Sequence, residues 1–167
     1  MLPSTVKAVN PGTVGQAGEL RGGFDLTCEL GQLSANTTAG IFGTMAAGGE
    51  LEELGEPMPV ASPDEVQTGA ATILANVEGD QVKEYDIEIL KLLDNGDGRE
   101  MLISVTDPEL LEITGGIVQG MSGSPILQNG KFVGAVTHVL LNDPTKGYGI
   151  FLETMLSAGG LTGNPAA

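Results

Sequence analysis

An all-β fold of closely spaced antiparallel strands, a small barrel or sandwich, is predicted by three features of this 167-residue chain. It carries 26 glycines and 9 prolines with no tryptophan, a composition that favours many tight turns. Residues Val82–Leu90 alternate, with Tyr85, Ile87 and Ile89 on one face and charged side chains on the other. Asn129-Gly130 separates two apolar runs, the strongest short-range hairpin signal in the chain. The length suits one domain with a real core, and no internal repeat divides it.

Taken in order, residues 1–23 read as turn-rich, with Asn10-Pro11-Gly12 and Gly22-Gly23 expected to break any regular element. Short strands are expected at 4–9, 24–30 and 40–45. Residues 46–65, acidic and holding three prolines, read as a connector near the surface. Ala70–Val77 and Val82–Leu90, joined through Glu78-Gly79-Asp80, form a predicted hairpin. Asn95-Gly96-Asp97-Gly98 turns into a strand at Met101–Thr106. Asp107-Pro108 then has helix-start chemistry, with Asp as N-cap and Pro at the first helical position, and Gly115-Gly116 limits that helix to two turns. Beyond it, Pro125–Leu127 and Lys131–Leu140 flank the Asn-Gly turn, and Asn142-Asp143-Pro144 turns again. Tyr148–Leu152 is strand-like, Glu153–Leu156 begins a short closing helix, and the tail from Gly159 is expected to fray.

Composition narrows the function classes. Twenty-two acidic against seven basic residues give a net charge of −15, which argues against nucleic acid as a partner because phosphate binding needs clustered Lys and Arg. The acidity reads as a solvated surface, with a cationic substrate face permitted. One cysteine excludes an internal disulfide and a Cys-cluster metal site; Cys28, in Phe24-Asp25-Leu26-Thr27-Cys28, is expected to be a buried structural thiol. No stretch reaches the roughly 20 apolar residues of a membrane helix, and no signal-peptide pattern is present. Acidic pairs such as Glu52-Glu53 stand apart from any His or Cys, so no metal is expected. The glycine-rich stretches lack the features of a phosphate loop or dinucleotide site, so no cofactor is expected. Asn36-Thr37-Thr38 is a formal glycosylation sequon that reads as a polar turn.

The chemistry concentrates at Gly120-Met121-Ser122-Gly123-Ser124-Pro125. A serine between small residues, in a tight turn entering an apolar strand, suits a nucleophile presented at a bend, and the N–H groups of Gly120 and Ser122 can converge on one point as an oxyanion hole. The α/β-hydrolase elbow fits less well, since it needs glycine two residues after the serine and a helix behind it; here Ser124 and a β-like run stand there. The same residues also make an ordinary Gly/Ser turn, and both readings stand at this point. The chain's sole histidine, His138, follows Ser122 by sixteen residues, so none precedes the serine.

Residues 115–156, GGIVQGMSGSPILQNGKFVGAVTHVLLNDPTKGYGIFLETML, closely resemble the sporulation serine peptidase SpoIVB and its relatives, and Gly40-Ile41-Phe42-Gly43-Thr44 and Glu84–Leu90 are similar too. The resemblance covers about residues 30–160. It implies a trypsin-like fold, incomplete at the N-terminus, with about 1–60 as a remnant of the first barrel and connector and about 66–157 as the second barrel. It implies a serine endopeptidase acting on a protein or peptide substrate in sporulation signalling. In that family the full-length protein carries a membrane anchor and a PDZ domain, neither present in these residues, and works outside the cytoplasm in the forespore intermembrane space.

Carried over by position, Ser122 is the nucleophile and Asp107 matches the acid of the family's triad, although Asp107 also makes a good helix cap. The family's catalytic histidine lies in a Gly-His motif upstream of the serine, which this chain lacks. Truncation, a base from another polypeptide, or a relative that has lost activity would each account for that, truncation most simply; the isolated chain is expected to be nearly inactive. His138 is left with three roles: a substrate-binding residue in the specificity pocket, a satisfied structural histidine, or the base itself. The alternative to a peptidase is a non-catalytic β-barrel module that binds extended peptides.

Overall fold

A computed structural model describes residues 1–46, 57–94 and 97–161. Among these residues ten strands and two short helices follow in chain order: β1 (Ser4–Asn10), β2 (Glu19–Phe24), β3 (Gly31–Thr37), β4 (Gly40–Met45), β5 (Gly69–Glu78), β6 (Gln81–Leu92), β7 (Met101–Val105), α1 (Pro108–Thr114), β8 (Pro125–Gln128), β9 (Lys131–Val139), β10 (Lys146–Phe151) and α2 (Leu152–Ala158). A 3₁₀ turn at Pro63–Glu65 precedes β5. Six strands close into an antiparallel barrel in the order β10-β7-β6-β5-β8-β9, and β1-β2 and β3-β4 form separate two-stranded ribbons. The chain is all-β, as its turn chemistry and alternation predict.

The barrel follows from period-2 patterning. In β6, Tyr85, Ile87 and Ile89 turn inward and are buried, while Glu84, Asp86 and Glu88 face water. Ile73 of β5, Ile103 of β7 and Ile126 of β8 complete the interior, all fully buried. Pairing slips by one residue at several points, including between Tyr148 and Gly149. Such bulges bend strands and let a sheet curl shut. Asn129 and Gly130 both take positive φ, as the two-residue turn between β8 and β9 requires.

Asp107 caps α1, accepting the Leu110 N–H at 3.0 Å, and Gly115 ends the helix in the left-handed conformation. Helix α1 buries Leu110 and Thr114, and Leu110 joins the barrel's core.

The structure corrects three expectations near the N-terminus. Gly22-Gly23 does not break a strand; both lie inside β2, paired with Val6 and Thr5. A side chain is unnecessary there because neither ribbon face is deeply buried, and the bare backbone lets β2 approach the Thr5 carbonyl closely. The strand expected at 24–30 does not form: Phe24 ends β2 and residues 25–30 are not extended into a strand. The Asp25 carboxylate takes the Thr27 N–H at 2.8 Å and its hydroxyl at 2.6 Å, closing a local turn that competes with extended pairing. Cys28 is consequently half-buried in a loop rather than in the core, and its neighbours Phe24 and Leu26 are exposed. The strand at Gly31–Thr37 was not expected, because an exposed strand carries no apolar alternation. Half of the acidic connector, residues 47–56, lies outside the described residues, as do Asn95-Gly96 and the tail from 162.

Candidate active site

Between α1 and β8 the chain runs through Gly120 and Gly123, both at positive φ (102° and 91°). That conformation strains any other residue, so the glycines shape this turn. Within it the backbone is partly committed. Met121 N–H donates to Val118 O at 3.1 Å, Gly123 N–H to Val136 O at 2.8 Å and Ser124 N–H to Met121 O at 3.0 Å. Among the described residues the N–H groups of Gly120 and Ser122 have no acceptor. Met121 is buried and anchors the turn from below, while Ser122 is exposed above it.

The Ser122 hydroxyl donates to the Thr137 carbonyl at 3.0 Å. Thr137 is the extra residue of the β9 bulge: Val136 pairs with Gly149 and His138 with Tyr148, leaving Thr137 without a partner in the ladder. Its own hydroxyl is held between the carbonyls of Gly98 (2.8 Å) and Tyr148 (3.1 Å). A bulge re-aims one backbone carbonyl, and here that carbonyl meets the serine hydroxyl. No sequence signal marked Thr137, since bulges arise from strand mismatch that only the closed barrel reveals.

Ser122 opens onto a cleft of about 610 Å³. Its floor is apolar, with buried Ala135, Val136 and Ile150; one wall is the β3–β4 hairpin tip and Met155 of α2. His138 is exposed and lines the same cleft, so the structure brings the serine and the sole histidine to one depression. The formal sequon stands at this hairpin tip, where Thr37 ends β3 and its hydroxyl donates to Gly40 O. No Asp, Glu, Lys or Arg lines the cleft among the described residues. On the other side of the turn, Gly120, Met121 and Ser124 border a second depression of about 340 Å³ beneath β2.

Asp107 does not line that cleft. One carboxylate oxygen caps α1, and the other accepts the Asp86 N–H of β6 at 3.3 Å. The described residues hold no group of His, Cys, Asp and Glu arranged for a metal.

A family model described as SpoIVB peptidase S55 matches residues 1–156. The chain belongs to the SpoIVB peptidase family. The match spans both ribbons and the whole barrel, so the hairpin wall and the serine turn fall within the same family unit. No curated protein matches the chain. Peptide hydrolysis needs a nucleophile, an activated water or a metal, together with donors for a carbonyl oxygen.

Proposed function

We propose that the chain is the serine-bearing part of a SpoIVB-type, trypsin-like serine endopeptidase, acting on a protein or peptide substrate in sporulation signalling outside the cytoplasm. The observation that carries this is the alternation in the 120–124 turn, where the Met121 and Gly123 amides are bonded and those of Gly120 and Ser122 are left over. Two unengaged N–H groups flanking an exposed hydroxyl are the donors an acyl-transfer transition state needs. In this mechanism Ser122 Oγ attacks the scissile carbonyl, and the oxyanion takes hydrogen bonds from Gly120 and Ser122. The acyl-enzyme is then hydrolysed.

The base is assigned to a histidine outside these 167 residues, since their one histidine, His138, stands in the cleft wall on β9. His138 is read as a substrate-binding residue; Asp107 caps α1 outside the cleft, and the family resemblance offers it as the acid that would orient the base. The family resemblance adds a membrane anchor and a PDZ domain in the parent protein. A second reading, a barrel module that binds extended peptides without cleaving them, draws support from one contact: the Ser122 proton is given to the Thr137 carbonyl, not to a base.

A fluorophosphonate probe separates the two. Labelling should fall on Ser122, vanish in Ser122→Ala, and accelerate on the order of 10⁴-fold when a histidine-bearing segment of a family member is fused upstream. Absence of labelling in both proteins would leave the binding module standing.

A further inference from the structure

Four of the chain's seven cationic side chains are tied to carboxylates: Arg21 to Glu19, Lys83 to Glu109, Lys131 to Glu65 and Lys146 to Asp143. Arg99 is not. Among the described residues no carboxylate lies within ion-pairing distance of its guanidinium, which instead sits 5.7 Å from the centroid of the Tyr148 ring. Asp97, two residues away, directs its carboxylate to the Arg99 backbone N–H at 3.2 Å.

The placement of Arg99 is fixed from both sides. Before it, Gly98 O accepts the Thr137 hydroxyl, the same residue whose carbonyl holds Ser122. After it, Glu100 is buried, and its carboxylate accepts the Phe151 N–H at 2.6 Å and the Thr154 hydroxyl at 2.8 Å. The Glu100 N–H also donates to Gly149 O at 2.8 Å. The Arg99 backbone is thereby clamped next to the Gly98 carbonyl that holds Thr137, outside the lining of the Ser122 cleft, while its side chain stays exposed. Tyr148 stands directly across from His138 in the β9–β10 register, and His138 lines the Ser122 cleft. Lys91, also without a carboxylate partner among the described residues, continues that outer-face row beyond Leu102.

In a chain of net charge −15, an arginine whose guanidinium meets no carboxylate among the described residues is available for a carboxylate from elsewhere. A guanidinium over an aromatic ring keeps its in-plane N–H groups free, and their fork matches a carboxylate. We propose that Arg99, carried on Tyr148 and flanked by His138, is a specificity-determining residue that receives an acidic side chain of a peptide bound at the Ser122 cleft. The inference rests on the cleft being a peptide site, as proposed above, and adds the chemistry of what it selects.

The test uses capped six-residue peptides of Ala, Val and Ser with one Glu walked through every position, each paired with its Gln twin. Binding to the ¹⁵N-labelled chain is followed by NMR at the Ser122, Thr137 and Arg99 amides. At one position Glu should bind about tenfold tighter than Gln, the size of one partly exposed charge-assisted hydrogen bond. Arg99→Gln should bring that ratio close to one without moving the affinity of the Gln twin, and Arg99→Lys should fall between, with thermal stability unchanged in both. Equal affinity within every pair, a preference that survives Arg99→Gln, or no binding by any peptide overturns the inference. Fluorophosphonate labelling of Ser122 needs no acidic side chain, so it judges the peptidase reading separately.

Discussion

The six-stranded barrel and the two ribbons are built from the same short antiparallel strands, yet they treat apolar residues in opposite ways. Strands β5 to β10 turn Ile73, Ile89, Ile103 and Ile150 into one sealed interior. The ribbons leave Phe24 69% exposed, Ile41 58% and Leu33 50%. A barrel has no free edge and buries one side of every strand; a two-stranded ribbon has two edges and little to pack on. The serine turn therefore hangs from the rigid part, through Met121 and the β9 bulge. The ribbons supply only the outer wall of the cleft and the roof over Gly120.

The largest expected effect that sharpens this contrast is a truncation made in both regions. Ile103→Ala empties a fully buried site and should cost about 2–5 kcal/mol, whereas Ile41→Ala on the hairpin should stay within about 0.5 kcal/mol. Chemical denaturation of both variants measures the gap. Similar losses at the two sites would mean that the hairpin is as integral to the core as β7.

A glycine pair probes the same contrast at the backbone. A Cβ on Gly134 of β9 would lie 2.0 Å from the Ile150 carbonyl oxygen of β10, so Gly134→Ala must push two paired barrel strands apart. On Gly22 the nearest atom is the Thr5 carbonyl oxygen at 3.1 Å, in a ribbon free to give. We expect a cost of about 1–3 kcal/mol for the first and well under about 1 kcal/mol for the second, read from thermal unfolding. A tolerated Gly134→Ala would show a barrel seam looser than its register implies.

Much of the barrel was legible in the sequence because burying one strand face writes alternation into it. Tyr85, Ile87 and Ile89 announced their strand, and Asn129-Gly130 announced the hairpin. The turn around Ser122 was legible because Gly120 and Gly123, which take positive φ there, stand close together in the sequence. The ribbons were not, since β3 and β2 bury almost nothing and so obey no pattern; the Asp25–Thr27 turn likewise outcompeted an apparently apolar strand. Thr137 and Arg99 were invisible for a different reason. Their roles come from a bulge and from a cross-strand stack, and both exist only once β9, β10 and the 97–100 loop are brought together.

Asp107 separates structure from chemistry within one residue. As the α1 cap it should cost about 1 kcal/mol when changed to Ala, while Asn, an equally good cap, should restore stability. If Asp107 also orients a histidine, Asp107→Asn should keep the melting temperature yet slow Ser122 labelling in the histidine-supplemented protein by on the order of 10⁴. Unchanged labelling in Asp107→Asn would confine the residue to its cap.

The smallest effect concerns the segment that enters the barrel ahead of β5. Ahead of β5, Glu65 pairs with Lys131 at the start of β9, where Phe132 also exchanges backbone hydrogen bonds with Pro59 and Ala61. The Lys131 ammonium, and after it the Ser62 N–H, hold the Glu65 carboxyl down from 4.5 to about 2. A carboxylate depressed in the folded state adds stability above its unfolded pKa, and that increment drains away as pH falls toward the folded value. The melting-temperature gap between the native chain and Glu65→Gln should therefore be full at pH 7, narrow below pH 4.5 and close near pH 2. Because the pair is exposed, the gap should be small and should shrink further in molar salt. A gap that persists at pH 2 would mean that Glu65 acts through the geometry of the Ser62 turn rather than through its charge, and that the segment before β5 is held by its backbone bonds alone.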